Sequence, residues 1–270
     1  MWKRSPLANR TNIYICRNEG MAMSPSMKSM RHTPMVQINN STTAILFVHG
    51  IQGSPDQFKW LIESLPQSVD VFNVLLPGHG KGIIDFAKAT MKAWQEYVDG
   101  VSAELNQKYE SVIYVGHSMG CLLGIDAAVR GVGKYSAMIL LACPLRLHFT
   151  FRYLRNNLLS LISKSEADPF VAAARDSNSI RTRFPLLYVL GVRQYLGLLI
   201  KINQTRRKVQ QLKTTVTVIH SERDEIVSIR SLDYFLRCAD ANSLTVPGSG
   251  HYLYSDEARE IIRDRITKCL

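Results

Sequence analysis

No stretch of this 270-residue chain is long and apolar enough to span a bilayer. A spanning helix needs roughly 20 apolar residues, and the nearest approach, Leu186 to Ile200, is broken by Arg193 and Gln194. Cysteine is scarce: five residues, at 16, 121, 143, 238 and 269, with no CxxC pair. They are too few and too scattered for a disulfide framework, so a reducing cytoplasm is the simplest compartment. Neither HExxH nor a Cys/His cluster occurs, so no metal motif and no cofactor are indicated. Acidic residues are also short: 22 Asp+Glu face 33 Lys+Arg, a formal net charge of +11. What is plentiful is ordinary. Hydrophobic residues at 46% and charged residues at 20% exclude wholesale disorder, collagen and a coiled-coil rod.

A basic chain raises nucleic acid and anionic membranes as partners. The distribution of charge narrows that. Residues 1–40 carry +5 and residues 145–213 carry +10, with thirteen Lys/Arg against Glu166, Asp168 and Asp176. Everything else, 41–144 and 214–270, is −4. The body is mildly acidic and holds no nucleic-acid motif or basic groove, so nucleic acid is not expected as a partner. Residues 1–40 have no helical or strand period and read as a disordered leader. Initiation at one of the later Met residues, or a functional basic arm, are the alternatives. The apolar run Ile13 to Cys16 is too short for a signal peptide.

From Ala44 the pattern changes. Ala44–Val48 is a continuous apolar run, as in a strand buried on both faces. Further strands are expected at Val71–Leu76, Val112–Val115, Ala137–Cys143, Val216–Ile219 and Ser243–Val246. Helical spacing is expected over Asp56–Leu65, Asp85–Tyr109, Met119–Arg130, around Leu232 to Leu236, and over Asp256–Leu270. In the second of these Trp94, Tyr97, Val98, Val101 and Leu105 recur at a three-to-four-residue spacing, with Phe86 two turns before Trp94. Strand and helix alternate, which predicts an α/β fold: a mostly parallel central sheet flanked by helices. Residues 145–213 interrupt the alternation and read as a helical cap, leaving 41–144 and 214–270 as the core.

Gly116-His117-Ser118-Met119-Gly120 fits G-x-S-x-G. The chemistry needs such a turn: strand into helix, a strained Ser exposed at the carboxyl end of the sheet, and small flanking residues that let the chain pack. A Ser hydroxyl also needs a base, and the base needs an orienting acid. His251 follows the last expected strand and Gly248-Ser249-Gly250. Asp224 sits in the loop after the preceding strand, with Glu222 and Glu225 as rivals. Met119, directly after the Ser, offers one backbone N–H to an oxyanion; a second should come from the loop after Ala44–Val48.

These blocks, with His49-Gly50-Ile51-Gln52-Gly53-Ser54-Pro55 and Leu76-Pro77-Gly78-His79-Gly80, resemble the α/β-hydrolase family. More closely they are similar to small bacterial carboxylesterases and monoacylglycerol-lipase-like enzymes. The resemblance implies a catalytic triad of Ser118, Asp224 and His251, the acid chosen by D-x-x-V spacing. It implies Ile51 as the second oxyanion donor, with His49, Gly50, Gly116, His117 and Gly120 shaping the turns. The implied activity is hydrolysis of small-molecule acyl esters through an acyl-enzyme. Thioesterase or C–C hydrolase chemistry with the same triad, or a non-catalytic binding protein, are the alternatives.

Large apolar residues of the cap, among them Phe149, Phe151, Leu154, Leu158, Leu186, Tyr188, Tyr195 and Leu196, are expected mostly to pack it onto the body, with some lining an acyl pocket. Arg206-Arg207-Lys208 reads as a solvated outer face. Transient contact of the basic cap with anionic lipid is the one macromolecular partnership the composition suggests. The sequence is silent on oligomeric state.

Overall fold

The computed structural model describes residues 31–153, 155, 159, 168–180, 182, 184–238 and 240–270. Most of the expected leader, and Leu154 and Leu158, lie outside that set. The chain divides into two units, and all that follows concerns the second, His32–Leu270.

Seven strands form one sheet: β1 (Met35–Gln37), β2 (Thr43–Val48), β3 (Asp70–Val74), β4 (Ser111–His117), β5 (Ala137–Leu141), β6 (Thr215–Ser221) and β7 (Ala241–Val246). Their order is β1-β3-β2-β4-β5-β6-β7. All pairings are parallel except β1 with β3. The fully buried strand β5 and most of β2 and β4 are the continuous apolar runs of the sequence, and β3 is fully buried although it carries Asp70 and Asn73. One side of the sheet packs against Phe58, Leu61 and the apolar stripe Ala258, Ile262 and Ile266 of the last helix.

The helices are α1 (Lys59–Ile62), α2 (Ile83–Lys88), α3 (Met91–Lys108), α4 (Met119–Val129), α5 (Pro169–Ser177), α6 (Val192–Lys208) and α7 (Asp256–Thr267). Four differences from the sequence reading have physical causes. Met35–Gln37, placed in the leader, is an edge strand, too short at three half-buried residues to carry a period. The expected helix over Asp56–Leu65 is a 3-10 turn, Pro55–Phe58, running into the single turn of α1. The expected helix over Asp85–Tyr109 is two helices. Ala89 is extended (ψ 160°), and the Thr90 hydroxyl accepts the Ala93 N–H at 3.1 Å, so α3 starts afresh with its own cap. The carbonyls of Ala87 and Ala89 at the break accept the Gln194 side-chain amide at 2.9 and 2.7 Å. The segment around Leu232 to Leu236 is likewise a 3-10 turn, Ile229–Phe235.

The basic insertion is also more divided than expected. The second half of α6 packs against α4 as a body helix: Leu198, Lys201, Ile202 and Thr205 are buried, and the Lys201 ammonium lies 3.2 Å from the Asp126 carboxylate. The first half, with the 3-10 turn Pro185–Gly191, lies against α2, where Phe86 and Tyr195 approach to 6.4 Å between ring centres.

Gly120 in α4 is fixed sterically. A Cβ there would lie 2.1 Å from the Val48 carbonyl oxygen at the end of β2. Gly120→Ala is therefore expected to cost at least about 1–3 kcal/mol of unfolding free energy. Thr90→Ala, which removes one cap, should cost about 1 kcal/mol, and Thr90→Ser should restore most of it. Urea unfolding read by circular dichroism checks the order; a Gly120→Ala protein as stable as Thr90→Ala would contradict the close-approach argument.

Candidate active site

The expected site residues meet at the carboxyl ends of parallel strands. Ser118 follows β4, Asp224 follows β6, His251 follows β7, and the loop from His49 follows β2. This edge is where an open α/β sheet binds ligands.

Ser118 has φ 52° and ψ −120°, a left-handed backbone that a non-glycine residue adopts only under constraint. The constraint is visible on both sides. Its N–H donates to the Leu141 carbonyl at 2.9 Å, and its carbonyl accepts the Cys121 N–H at 3.0 Å. Met119 opens α4, so its N–H belongs to the first turn, whose amides have no intrahelical acceptor. Cys121, one turn on, is fully buried, and burial pushes its thiol pKa up, away from the nucleophilic thiolate.

The acid and base are joined directly. The His251 Nδ1 lies 3.0 Å from Asp224 Oδ2 and 3.2 Å from Oδ1. Asp224 Oδ1 also accepts the backbone N–H groups of Ile226 (2.9 Å) and Val227 (2.8 Å). That turn explains the D-x-x-V spacing: a short side chain folds back on the amides two and three residues on. Burial opposes the Asp224 charge, but His251 and these amides outweigh it and hold its pKa below the usual carboxylate range. Burial likewise disfavours the His251 cation, but Asp224, then Glu225, raise its pKa above the ordinary 6.5.

Glu222 and Glu225 take other partners on the same segment. Glu222 accepts the Gly248 N–H at 3.0 Å, and buried Glu225 accepts the His251 backbone N–H at 3.0 Å. Asp224 and Glu225 thus hold the base itself, and Glu222 holds the segment that carries it. Only Asp224 reaches the imidazole; sequence alone carried no signal for what the other two hold.

Among the described residues no hydrogen bond joins Ser118 Oγ to His251. Their link is His117, whose Nε2–H donates to the His251 carbonyl at 2.9 Å, with the two rings 5.0 Å apart between centres. Burial, then the neighbouring His251, lowers the His117 pKa to about 3, so this ring is neutral.

His49 does something the sequence reading did not assign. Its Nε2 accepts the Leu76 N–H at 3.0 Å, which leaves the proton on Nδ1, and Nδ1–H donates to the Gly50 carbonyl at 2.8 Å. That carbonyl also accepts the Gly53 N–H at 3.0 Å. Because the peptide is planar and trans, pinning the Gly50 oxygen aims the Ile51 N–H the opposite way. Burial, then His79, lowers the His49 pKa, keeping this tautomer neutral. Ser179, also missed from sequence, holds the next peptides: its hydroxyl donates to the Gly53 carbonyl at 2.6 Å and its N–H to the Gln52 carbonyl at 2.8 Å.

Tyrosines gather beside this edge. The Gln52 amide donates to the Tyr195 hydroxyl. Tyr195 lies near Tyr153 and Tyr188, and Tyr252 lies near Tyr153, Glu225 and Tyr195; burial pushes the Tyr195 and Tyr252 phenols up. Phe170 sits against Gly250, where an added Cβ would meet its ring at 2.8 Å. By contrast Phe149, Phe151, Leu186 and Leu196 face solvent, contrary to the expectation that they pack the insertion down.

Asp224→Asn should lower the His251 pKa, because the largest charge favouring the imidazolium is gone. Glu225→Gln should lower it less. Titration of the His251 ring by NMR checks both; an unchanged or higher value in Asp224→Asn would contradict the pairing.

The profile of the alpha/beta hydrolase family matches residues 45–264. Comparison with curated proteins finds no match. Among solved structures, similarity extends to one from the metagenome-derived lipolytic enzymes LipS and LipT (19% identity, TM-score 0.68, covering 88% of this chain and 96% of that one). It extends also to the monoacylglycerol lipase of Paleococcus ferrophilus (16%, 0.63, 87% and 97%). A thioesterase domain from the curacin biosynthetic pathway is a third (17%, 0.60, 87% and 94%). At these identities the structures speak to the fold. With the family profile spanning most of the described residues, the chain belongs to the alpha/beta hydrolase family.

Proposed function

We propose that this protein is a serine hydrolase that cleaves carboxylic esters through an acyl-enzyme. The observation that carries the reading is the left-handed Ser118 at the carboxyl edge of the sheet beside a buried Asp224–His251 pair. Three roles follow. His251 Nε2 takes the Ser118 hydroxyl proton as Oγ forms a bond to the ester carbonyl carbon. The tetrahedral oxyanion accepts the Ile51 and Met119 N–H groups. The intermediate collapses, the C–O bond to the alcohol breaks, and the imidazolium returns the proton to the leaving alkoxide. Water then repeats the sequence on the acyl-enzyme, releasing the acid. Catalytic hydrogen bonds are often long without substrate, so the Ser118–His251 bond forms here when an ester is bound.

The raised His251 pKa suits the middle of that cycle, since Asp224 stabilises the imidazolium. The base acts when neutral, so kcat/KM rises with pH through the His251 pKa. The buried tyrosines favour an ester with an apolar acyl group, each buried methylene adding about 0.8 kcal/mol. The insertion 145–213 acts as the cap, with Ser179 and Tyr195 attaching it to the His49–Ser54 loop.

A fluorophosphonate probe should label Ser118, located by mass spectrometry. Ser118→Ala should lose about 10⁶ in kcat on p-nitrophenyl esters. His49→Ala, freeing the Gly50 peptide, should lose about 10²–10³ in kcat, as for loss of one oxyanion donor. Label at another residue would overturn the mechanism. Turnover of acyl thioesters with none of oxygen esters would move the substrate class to thioesters.

A further inference from the structure

The same elements that press tyrosines toward the site present bare apolar side chains on their outer face. Leu186 is 87% exposed, Val189 68%, Ile200 59% and Leu196 55%, and Ile84 on the abutting α2 is 60% exposed. In a monomeric protein, large side chains exposed singly are normal; a contiguous group on one face marks an interaction site. Here the residues lie on adjoining elements, the 3-10 turn Pro185–Gly191 packing against both α2 and α6. Val192, Leu196 and Ile200 rise every four residues along α6, and with Met91 and Lys92 they line a groove of about 500 Å³. Tyr195, on the inward side of the same turn, meets Gln52 in the loop that carries the Ile51 N–H.

The charges around this face are mostly positive. No Asp or Glu occurs between Asp176 and Glu222. Lys81, Lys88 and Lys92 on and beside α2 and Arg193 on α6 are exposed along the rim. The nearby acids are Asp85, half-buried, and Glu96, which lies 3.7 Å from the Lys92 ammonium. A second copy of the chain placed on this face would bring cation against cation. An anionic lipid surface matches both features, apolar interior and negative headgroups.

We propose that the face formed by the 3-10 turn Pro185–Gly191, the first half of α6 and the outer side of α2 docks on anionic lipid surfaces. Docking sets the tyrosine-lined side of α6 just behind the lipid contact, where an ester can pass from the surface to Ser118. This delivery role rests on the ester-hydrolase reading; the docking itself does not. Among the described residues no helix is long and apolar enough to cross a membrane, so the contact is peripheral.

The test is co-sedimentation with vesicles of phosphatidylcholine alone and of phosphatidylcholine mixed with phosphatidylglycerol. The wild type should bind the mixed vesicles and lose binding as salt is raised. Arg193→Glu should weaken binding by at least about fivefold, the equivalent of ~1 kcal/mol per cation. Leu186→Ser with Leu196→Ser should weaken it by about tenfold. These variants should turn over a short soluble ester as the wild type does, and Ser118→Ala should bind vesicles unchanged. No binding by the wild type, equal binding of both vesicles, or variants that bind normally would overturn the proposal. So would a wild-type dimer in sedimentation velocity that the Leu variants dissociate, because the face would then be a protein interface. Absence of turnover in every protein, with vesicle binding as expected, would remove the esterase reading and leave the docking standing.

Discussion

The site depends on how closely α4 can approach the end of β2. At Gly120 there is no room for even one added carbon against the Val48 carbonyl oxygen, 2.1 Å away. At Gly50 the same is true against Ser118 itself, where an added Cβ would lie 2.9 Å from the Ser118 Cβ. Two missing side chains therefore bring the nucleophile turn and the oxyanion loop into contact. The left-handed Ser118 is the consequence: the chain must reverse from β4 into α4 within one residue while α4 starts against β2. Strain of order 1–3 kcal/mol at such a position persists only where neighbours over-determine it. The flanking hydrogen bonds to Leu141 and Cys121, on a sheet edge buried on both sides, do that.

A second dependence runs between the loops after β6 and β7. The acid loop and the base loop are sewn together backbone to backbone, with Glu222 N–H on the Val246 carbonyl and Arg223 N–H on the Ser249 carbonyl. The carboxylates of Glu222, Asp224 and Glu225 add three more attachments. Two buried carboxylates beside one imidazole would be costly if unpaired. Each is paired with a donor on the base segment, so the cost becomes orientation of His251. Catalysis of the proposed kind needs that orientation more than it needs basicity.

The central strands were legible because apolar residues cluster in them and Gly, Pro or His follows, as in Ala44–Val48 before His49 and Val112–Val115 before Gly116, a pattern independent of partners; β1, three half-buried residues, carried no such run. Ser118, Asp224 and His251 were picked out because the proposed chemistry needs their residue types and the resemblance supplied their order; the structure joins Asp224 to His251 and sets Ser118 at the same edge. The break at Thr90 was not: Phe86 and Trp94 keep one helical phase across it, and only the cap geometry and Gln194, more than 100 residues away, reveal two helices. The role of His49 was hidden for a related reason. Its two hydrogen bonds reach Leu76 and Gly50, and the first is set by tertiary structure. Contacts distant in sequence leave no period behind.

The surplus positive charge of 145–213 illustrates the same limit. By composition it is one basic segment; by structure it does two things. In the second half of α6 Lys201, Arg206 and Lys208 turn to the body, while Arg207 is exposed. Asp126 receives Lys201 at 3.2 Å, Lys208 at 2.7 Å and Arg130 at 2.8 Å, and this company outweighs burial and holds its pKa at about 2. Arg206, read from sequence as solvated, donates to the Leu145 carbonyl and lies over the Tyr234 ring. These charges attach a helix to the body and are not offered to a partner. Arg193, two turns before Lys201, stands on the apolar outer face instead. Part of the positive charge that first suggests a polyanionic partner is thus spent inside the fold, while Arg146, Arg152, Arg155, Arg193, Arg207 and Lys213 are exposed. Of the exposed cations, Arg193 stands among exposed Val192, Leu196 and Ile200, which is the composition of a lipid-facing surface and not of a nucleic-acid groove.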